Sequence, residues 1–414
     1  MLSRSTAWAV ALVATLTMTV SYIDRNAFAV LAPAFMEELA ITPQMYGWLV
    51  SAFSLAYLVG TPIAGRVIDH VGARRGLVSS VLAWSIVAAL HAIAPTFGML
   101  FALRIALGLA ESPSFPGAAQ TVQRVLSPAD RARGFGVLFT GSSVGGMLVP
   151  ILATMFLAAT GEWRYAFVGT AAVGLVWLPL WIVLTRNRAV RTQLDTVPPS
   201  DLPARPPFTT LIIHPTVIRG LCAIFAAAPV VGFAQGWGST YLVHQMHVPL
   251  VQVGEYLWMP PLMFDAGAVV FGDLASRQHR EHGAPPRLLL AIAMIVATTI
   301  AWLPFATTPW QAMWLVGIAM AGGGGMYTLA TADLLARMPP ECVSTASGIL
   351  AAAQSLVLVI AGPLIGLAVG TFDSYDQSAV ALGVWVLPGA LAWLVWRPGP
   401  FVLPPRAIVS TSRR

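Results

Sequence analysis

Two acid and base pairs stand where a chain would be expected to place hydrocarbon. Asp24 and Arg25 are adjacent in "SYIDRN" (21–26), inside an apolar run from Ala7 to Ala34, and Arg104 and Glu111 lie in "RIALGLAESPSFPGAA" (104–119). Arg104 and Glu111 are seven residues apart, two helical turns, so both project from one face. An ionisable group at the centre of a membrane helix costs about 2.5 to 3.5 kcal/mol even on the lenient insertion scale, so each needs a reason. One reading is structural: the charges pair and stitch two helices together. The other is an anion site with a proton switch. A guanidinium stays charged and grips carboxylates with two nitrogens. An acid that loses its Arg partner away from water takes up a proton instead. A further acid, Asp265, falls deep in a later apolar run, with Glu255 and Asp333 nearer the ends of theirs.

The rest of the chain is built to hold such groups inside a bilayer. Of 414 residues, 57% are hydrophobic and only 10% charged, and the mean hydropathy is +0.75, outside the range of soluble domains. All 23 basic residues are Arg, spread through short loops rather than gathered on a basic face, so nucleic acid is not an expected partner. Cys222 and Cys342 are far apart and offer neither ligand spacing nor a disulfide framework. No His, Cys, Asp or Glu cluster suits a metal and no nucleophile has a base beside it, so neither a cofactor nor enzyme activity is expected. Arg4 followed by an apolar stretch resembles a signal peptide. With no cleavage signal before Asp24, it reads instead as the first membrane helix.

Runs of about 17 to 25 apolar residues, enough to cross a bilayer as helices, occur twelve times: near 7–34, 46–66, 77–95, 97–122, 134–158, 165–185, 217–243, 251–273, 286–304, 310–337, 344–370 and 377–396. One set of loops and helix ends carries Arg66, Arg74, Arg75, Arg124, Arg131, Arg133, Arg186, Arg188, Arg191, Arg205, Arg219, Arg277, Arg280, Arg287 and Arg337, whereas the opposite set holds Arg164 with Glu37, Glu38, Asp373 and Asp376. The positive-inside rule then puts both termini in the cytoplasm. The longest polar stretch follows the sixth run, so the expected organisation is a six-helix half (1–185), a cytoplasmic linker (186–216), a second six-helix half (217–397) and a cytoplasmic tail (398–414).

The halves echo one another. "GRVIDHVGARRG" (65–76) follows the second run and a degraded counterpart, "GDLASRQHR" (272–280), follows the eighth. Twelve helices, a 6+6 repeat and this loop resemble the major facilitator superfamily, whose members bind substrate near the bilayer midplane between the halves. The resemblance implies that Gly65, Asp69, Gly72, Arg74 and Arg75 form a cytoplasmic latch, while topology alone would also explain the Arg residues. A monomer is the expected state.

Within the superfamily, "SYIDRNAFAVLAP", "RIALGLAESPSFPGAA" and "YLWMPPLMFDAGAVVFGDL" (256–274) resemble the anion:cation symporter family, which includes bacterial hexuronate, galactonate and glucarate carriers and, more remotely, sialin and the vesicular glutamate transporters. The resemblance implies proton-coupled import of a small organic anion, such as a sugar acid, across a bacterial inner membrane by alternating access. Arg25 would bind the carboxylate, Asp24 and Glu111 would carry protons, and Arg104 would neutralise Glu111. Tyr22, Gln235, Trp237, Tyr241, Tyr327 and Gln354 are candidate substrate contacts, with Asp265 a possible second-half acid. Trp237 and Tyr241 could equally be packing or interface aromatics, and Tyr327, behind "AGGGGM", could fill space beside the glycines. Asn26 and Asn187 are the chain's asparagines, few for reading sugar hydroxyls, which leaves room for a less polar acid. The alternative is a proton-coupled exporter. Such antiporters carry a Gly-Pro dipeptide in the fifth helix, which "GSSVGGMLVP" (141–150) lacks. Pro113 and Pro116 are expected to bend the fourth helix beside Glu111.

Overall fold

The computed structural model describes residues 2–195, 208–282, 287–338 and 343–399. In chain order the helices are α1 (Arg4–Val30), α2 (Ala32–Glu38), α3 (Pro43–Val71), α4 (Ala73–Leu90), α5 (Phe97–Glu111), α6 (Ser114–Val125), α7 (Pro128–Thr160), α8 (Trp163–Thr185), α9 (Arg188–Asp195), α10 (Phe208–Ile212), α11 (Pro215–Thr240), α12 (Gly254–Leu257), α13 (Met259–His282), α14 (Arg287–Ala297), α15 (Pro309–Ala336), α16 (Val343–Phe372) and α17 (Asp376–Val395). Local chemistry sets several of these ends. Ser3, Thr42 and Thr96 cap α1, α3 and α5 by accepting from the backbone N–H three residues on. Proline opens α3, α7 and α11, where its missing N–H is harmless. The turn from α3 into α4 pivots on Gly72, whose φ of 85° favours a residue without a side chain.

Among the described residues, ten helices are long and apolar enough to cross a membrane. The two remaining expected crossings are the interrupted ones. The run at 97–122 is α5 and α6, broken at Ser112 and Pro113, and the run at 251–273 is α12 followed by α13. The proline bend beside Glu111 is therefore a full break. Large apolar side chains such as Val59, Ile63, Val176, Val183, Val269 and Val395 are left exposed, which suits a surface wetted by lipid tails.

Helices α1 and α3 to α8 pack on one another, as do α11 and α13 to α17. The two groups meet through α3 with α16, α1 with α11, and α7 with α12 and α13. Side-chain to backbone bonds mark the seam: Tyr46 OH donates to Gly236 O at 2.5 Å, Ser51 Oγ to Val359 O at 2.7 Å, and Ser239 Oγ to Val30 O at 2.6 Å. All three lie at the end of the bundle opposite the chain's N-terminus, near the last turn of α1 and the first turns of α3. The linker expected at 186–216 contains α9 and α10, and its stretch 196–207 lies outside the described residues, as does most of the expected tail.

Candidate functional site

Glu111 ends α5 at the helix break and is fully buried. Its Oε2 accepts three bonds: from Ser21 Oγ at 2.8 Å, from Arg25 Nε at 3.1 Å and from Arg25 Nη2 at 3.0 Å. Ser21 and Arg25 are one helical turn apart on α1, so a single face of that helix grips one carboxylate oxygen. The other oxygen, Oε1, has no hydrogen-bond partner among the described residues. The Arg25 guanidinium lies over the rings of Tyr22, Phe53 and Tyr57 at 4.7, 4.8 and 4.5 Å, a cage that supports a cation away from water.

Arg104, two turns before Glu111, does not form the expected pair with it in this conformation. Its guanidinium sits over Phe28 and Phe53 at 4.3 and 4.4 Å, and Nε donates to Leu49 O at 3.3 Å. Nη1 is buried and unpartnered among the described residues. Phe53 thus carries a guanidinium contact from each arginine.

Asp24 faces a different surface from its neighbour Arg25. It is 2% exposed, and neither carboxyl oxygen has a hydrogen-bond partner among the described residues. Oδ2 lies beside Gly174 of α8 and Ser85 of α4. The Trp84 indole interacts with the carboxyl, yet its N–H falls short of hydrogen-bond geometry. An ionised carboxylate so placed would carry a large unpaired desolvation cost, so this pocket accommodates the neutral acid.

The second-half candidates divide. Tyr327 on α15 is within electrostatic reach of Tyr22 on α1, its ring stands edge-on to Phe264 at 5.8 Å, and its hydroxyl is buried without a partner among the described residues. Asp265 on α13 accepts from Ser143 Oγ on α7 at 2.6 Å, across the seam. Gly145, two residues on, faces α1, where a side chain would collide with Tyr22 Cβ, so Ser143 projects from a different face of α7, toward α13. Gln354 and Gln235 are half-buried. Trp237 and Tyr241 instead pack into the closed end: Trp237 against Tyr46 at 4.8 Å, and Tyr241 against Tyr375 at 5.6 Å. The packing reading of those two fits the geometry.

The latch residues lie apart from this centre. Arg74 pairs with Asp195 of α9 at 3.4 Å, and its carbonyl accepts from Trp181 Nε1. Gly65 has open space where a side chain would go, and Arg75 is exposed. The Asp69 side chain lies outside the described residues. Asp333 joins a separate cluster: it accepts from Arg219, which also lies over the Trp393 ring, and from Arg337 Nε at 3.1 Å, tying α11, α15 and α17 together.

Sequence reasoning passed over Ser21, Phe53, Tyr57 and Ser143. Ser21 was visible one turn before Arg25, and Phe53 and Tyr57 one turn apart in the second apolar run. Ser143 carried no local signal, because its partner is 122 residues away.

A helical bundle with ten membrane-length helices among the described residues and buried charges at the seam of two helix groups has the architecture of a membrane carrier, and the chain belongs to the Major Facilitator Superfamily, whose family model matches residues 14–362. It is similar to the hexuronate transporter of Escherichia coli strain K12, 25% identical over 416 residues and 95% of each chain. It is also similar to the D-galactonate transporter of Escherichia coli O6:H1, 24% identical over 405 residues, covering 92% of this chain and 93% of that one. The fold matches a crystal structure of a bacterial homologue of the human lysosomal transporter Spinster, captured inward-facing and unoccupied. The TM-score is 0.78 at 18% identity, covering 95% of this chain and 97% of that one.

Proposed function

We propose that this protein is a proton-coupled symporter that imports a sugar acid by alternating access. The observation that carries the reading is the Arg25–Glu111 pair: a permanent cation bound to a buried acid that retains one unpartnered oxygen. A substrate carboxylate is a direct competitor for Arg25. When it takes the guanidinium, Glu111 is left buried without its counter-ion and binds a proton, with Oε1 free to receive it. Anion and proton therefore load together. Release runs in reverse: the proton leaves Glu111, Arg25 returns to the carboxylate, and the substrate loses its anchor. Asp24, buried as the neutral acid, supplies a second proton site, and Arg104 Nη1 offers a second donor to the anion. The names of the similar carriers support a sugar acid as the cargo.

The distribution of Arg supports cytoplasmic termini in a bacterial inner membrane. With that orientation the seam at Tyr46, Ser51 and Ser239 is the outer gate, so this conformation opens inward. The halves, 1–185 and 217–397, rock about the linker at 186–216, and the monomer is the working unit. Arg74, held by Asp195 here, is free to latch in the opposite state with Asp69.

The test is transport into proteoliposomes loaded with a pH-sensitive dye. External hexuronate or aldonate is expected to acidify the interior, and Glu111→Gln to abolish the acidification. Acidification by the variant at the wild-type rate would remove Glu111 from the coupling step.

A further inference from the structure

The second half has no asparagine with which to read sugar hydroxyls, yet the seam between the halves holds an acid on α13. Asp265 is half-buried on α13, and Ser143 Oγ donates to its Oδ1 at 2.6 Å, inside the range of a charge-assisted O–H to carboxylate bond. This is its one side-chain hydrogen bond among the described residues, so Oδ2 keeps its accepting capacity. Ser143 and Gly145 point from different faces of α7, the first to Asp265 of α13 and the second to Tyr22 of α1, which lies over the Arg25 guanidinium. Phe264, the residue before Asp265, packs against Tyr327, whose unpartnered hydroxyl is within electrostatic reach of Tyr22. The two halves therefore carry unlike charges toward their seam, Arg25 on α1 and Arg104 on α5 in the first and Asp265 on α13 in the second.

We infer that Asp265 is a specificity residue that reads the hydroxyl end of the cargo and selects sugar acids carrying a single carboxylate. The inference rests on the sugar-acid reading above. A carboxylate accepts from hydroxyl groups but repels another carboxylate, so the substrate lies with its acid end on Arg25 and its polyol end toward Asp265. A sugar diacid of the same length brings its second carboxylate to Asp265, where like charges away from bulk water are costly. Arg25 supplies affinity for both kinds of acid, and Asp265 separates them. Ser143 is a positioning residue: its bond fixes the carboxylate orientation and presents Oδ2 to the cargo.

The test compares galacturonate with galactarate, the corresponding diacid, by calorimetric titration of the purified full-length protein. Wild type is expected to prefer galacturonate. Asp265→Asn is expected to narrow the ratio of the two dissociation constants by about tenfold or more, through weaker galacturonate and stronger galactarate binding. Asp265→Glu, which retains the charge, is expected to keep the preference and serves as the folded control. A ratio unchanged in both Asp265→Asn and Asp265→Ala, with galacturonate still bound, overturns the inference alone. Wild-type protein that binds neither compound overturns the sugar-acid reading and the inference with it.

Discussion

Arg25 places two nitrogens, Nε and Nη2, on one oxygen of Glu111 and leaves the other oxygen bare. A fork-to-fork pair would have engaged both oxygens and sealed the carboxylate. The asymmetric grip instead keeps a site for a proton beside a cation that can be drawn away. Glu111→Gln keeps the shape and removes the titration. The variant is therefore expected to retain exchange of substrate across the membrane while losing accumulation against a gradient. Counterflow and uphill uptake measured on the same proteoliposomes separate the two, and loss of both together would assign Glu111 to binding or folding instead.

Replacing Arg25 with Lys keeps the charge and loses the geometry. An ammonium is a compact, strongly hydrated point charge that cannot reproduce the planar fork over three rings. Arg25→Lys is expected to weaken carboxylate binding by roughly 100-fold, since the two-nitrogen grip and the stacking over three rings are lost although the charge stays. A titration showing affinity within a few-fold of wild type would move the anion site to Arg104, whose Nη1 is the remaining unpartnered guanidinium group at the centre.

The lipid-spanning architecture was legible because hydrophobic runs and Arg asymmetry are set by the bilayer, and every expected run corresponds to a helix or a pair of helices. Asp24, Arg25, Arg104 and Glu111 stood out for the same reason: charge is conspicuous in hydrocarbon. Pairing was not legible. Helix periodicity puts Arg104 on the same face of α5 as Glu111, and the choice of Arg25 instead depends on how α1 packs at the break between α5 and α6. Nor could the sequence indicate that adjacent Asp24 and Arg25 face different surfaces, or that Trp237 and Tyr241 fill the closed end. Aromatic residues look alike in sequence whether they line a pathway or plug it.

Outside the bilayer, the Glu38 carboxylate accepts from Trp163 Nε1 at 2.5 Å and from Arg164 Nη1 at 2.6 and 2.7 Å. The Trp163 bond first, and then Arg164, hold this carboxyl below the ordinary glutamate value. A group lowered in the folded state stabilises above its unfolded value, near pH 4.3, and that contribution fades as pH falls further. Glu38→Gln is expected to lower the thermal midpoint modestly at pH 7 and to converge with wild type as the pH drops below about 4. A gap that stayed constant across that range would show that the carboxylate charge is not what ties α2 to α8.

The outer seam closes by backbone contact, and that makes it sensitive to a single side chain. A Cβ on Gly47 of α3 would lie 2.8 Å from Gly362 C and 3.0 Å from Pro363 Cα of α16. Both are backbone atoms that cannot turn aside as a flexible side chain would. Gly47→Leu should therefore block the approach of α3 to α16 while leaving the Arg25–Glu111 centre, deeper in the bundle, intact. Substrate binding is expected to persist within about threefold of wild type, because the contacts to the anion are unchanged. Transport is expected to fall by a hundredfold or more, since the closed outer state is lost. Cysteine introduced at Tyr46, buried in the closed seam, reports the gate: it should react slowly with an external thiol reagent in the otherwise unaltered chain and rapidly in the Gly47→Leu background. Equal, slow labelling in both, with transport still lost, would mean that the glycine serves local helix packing and that the gate closes without it.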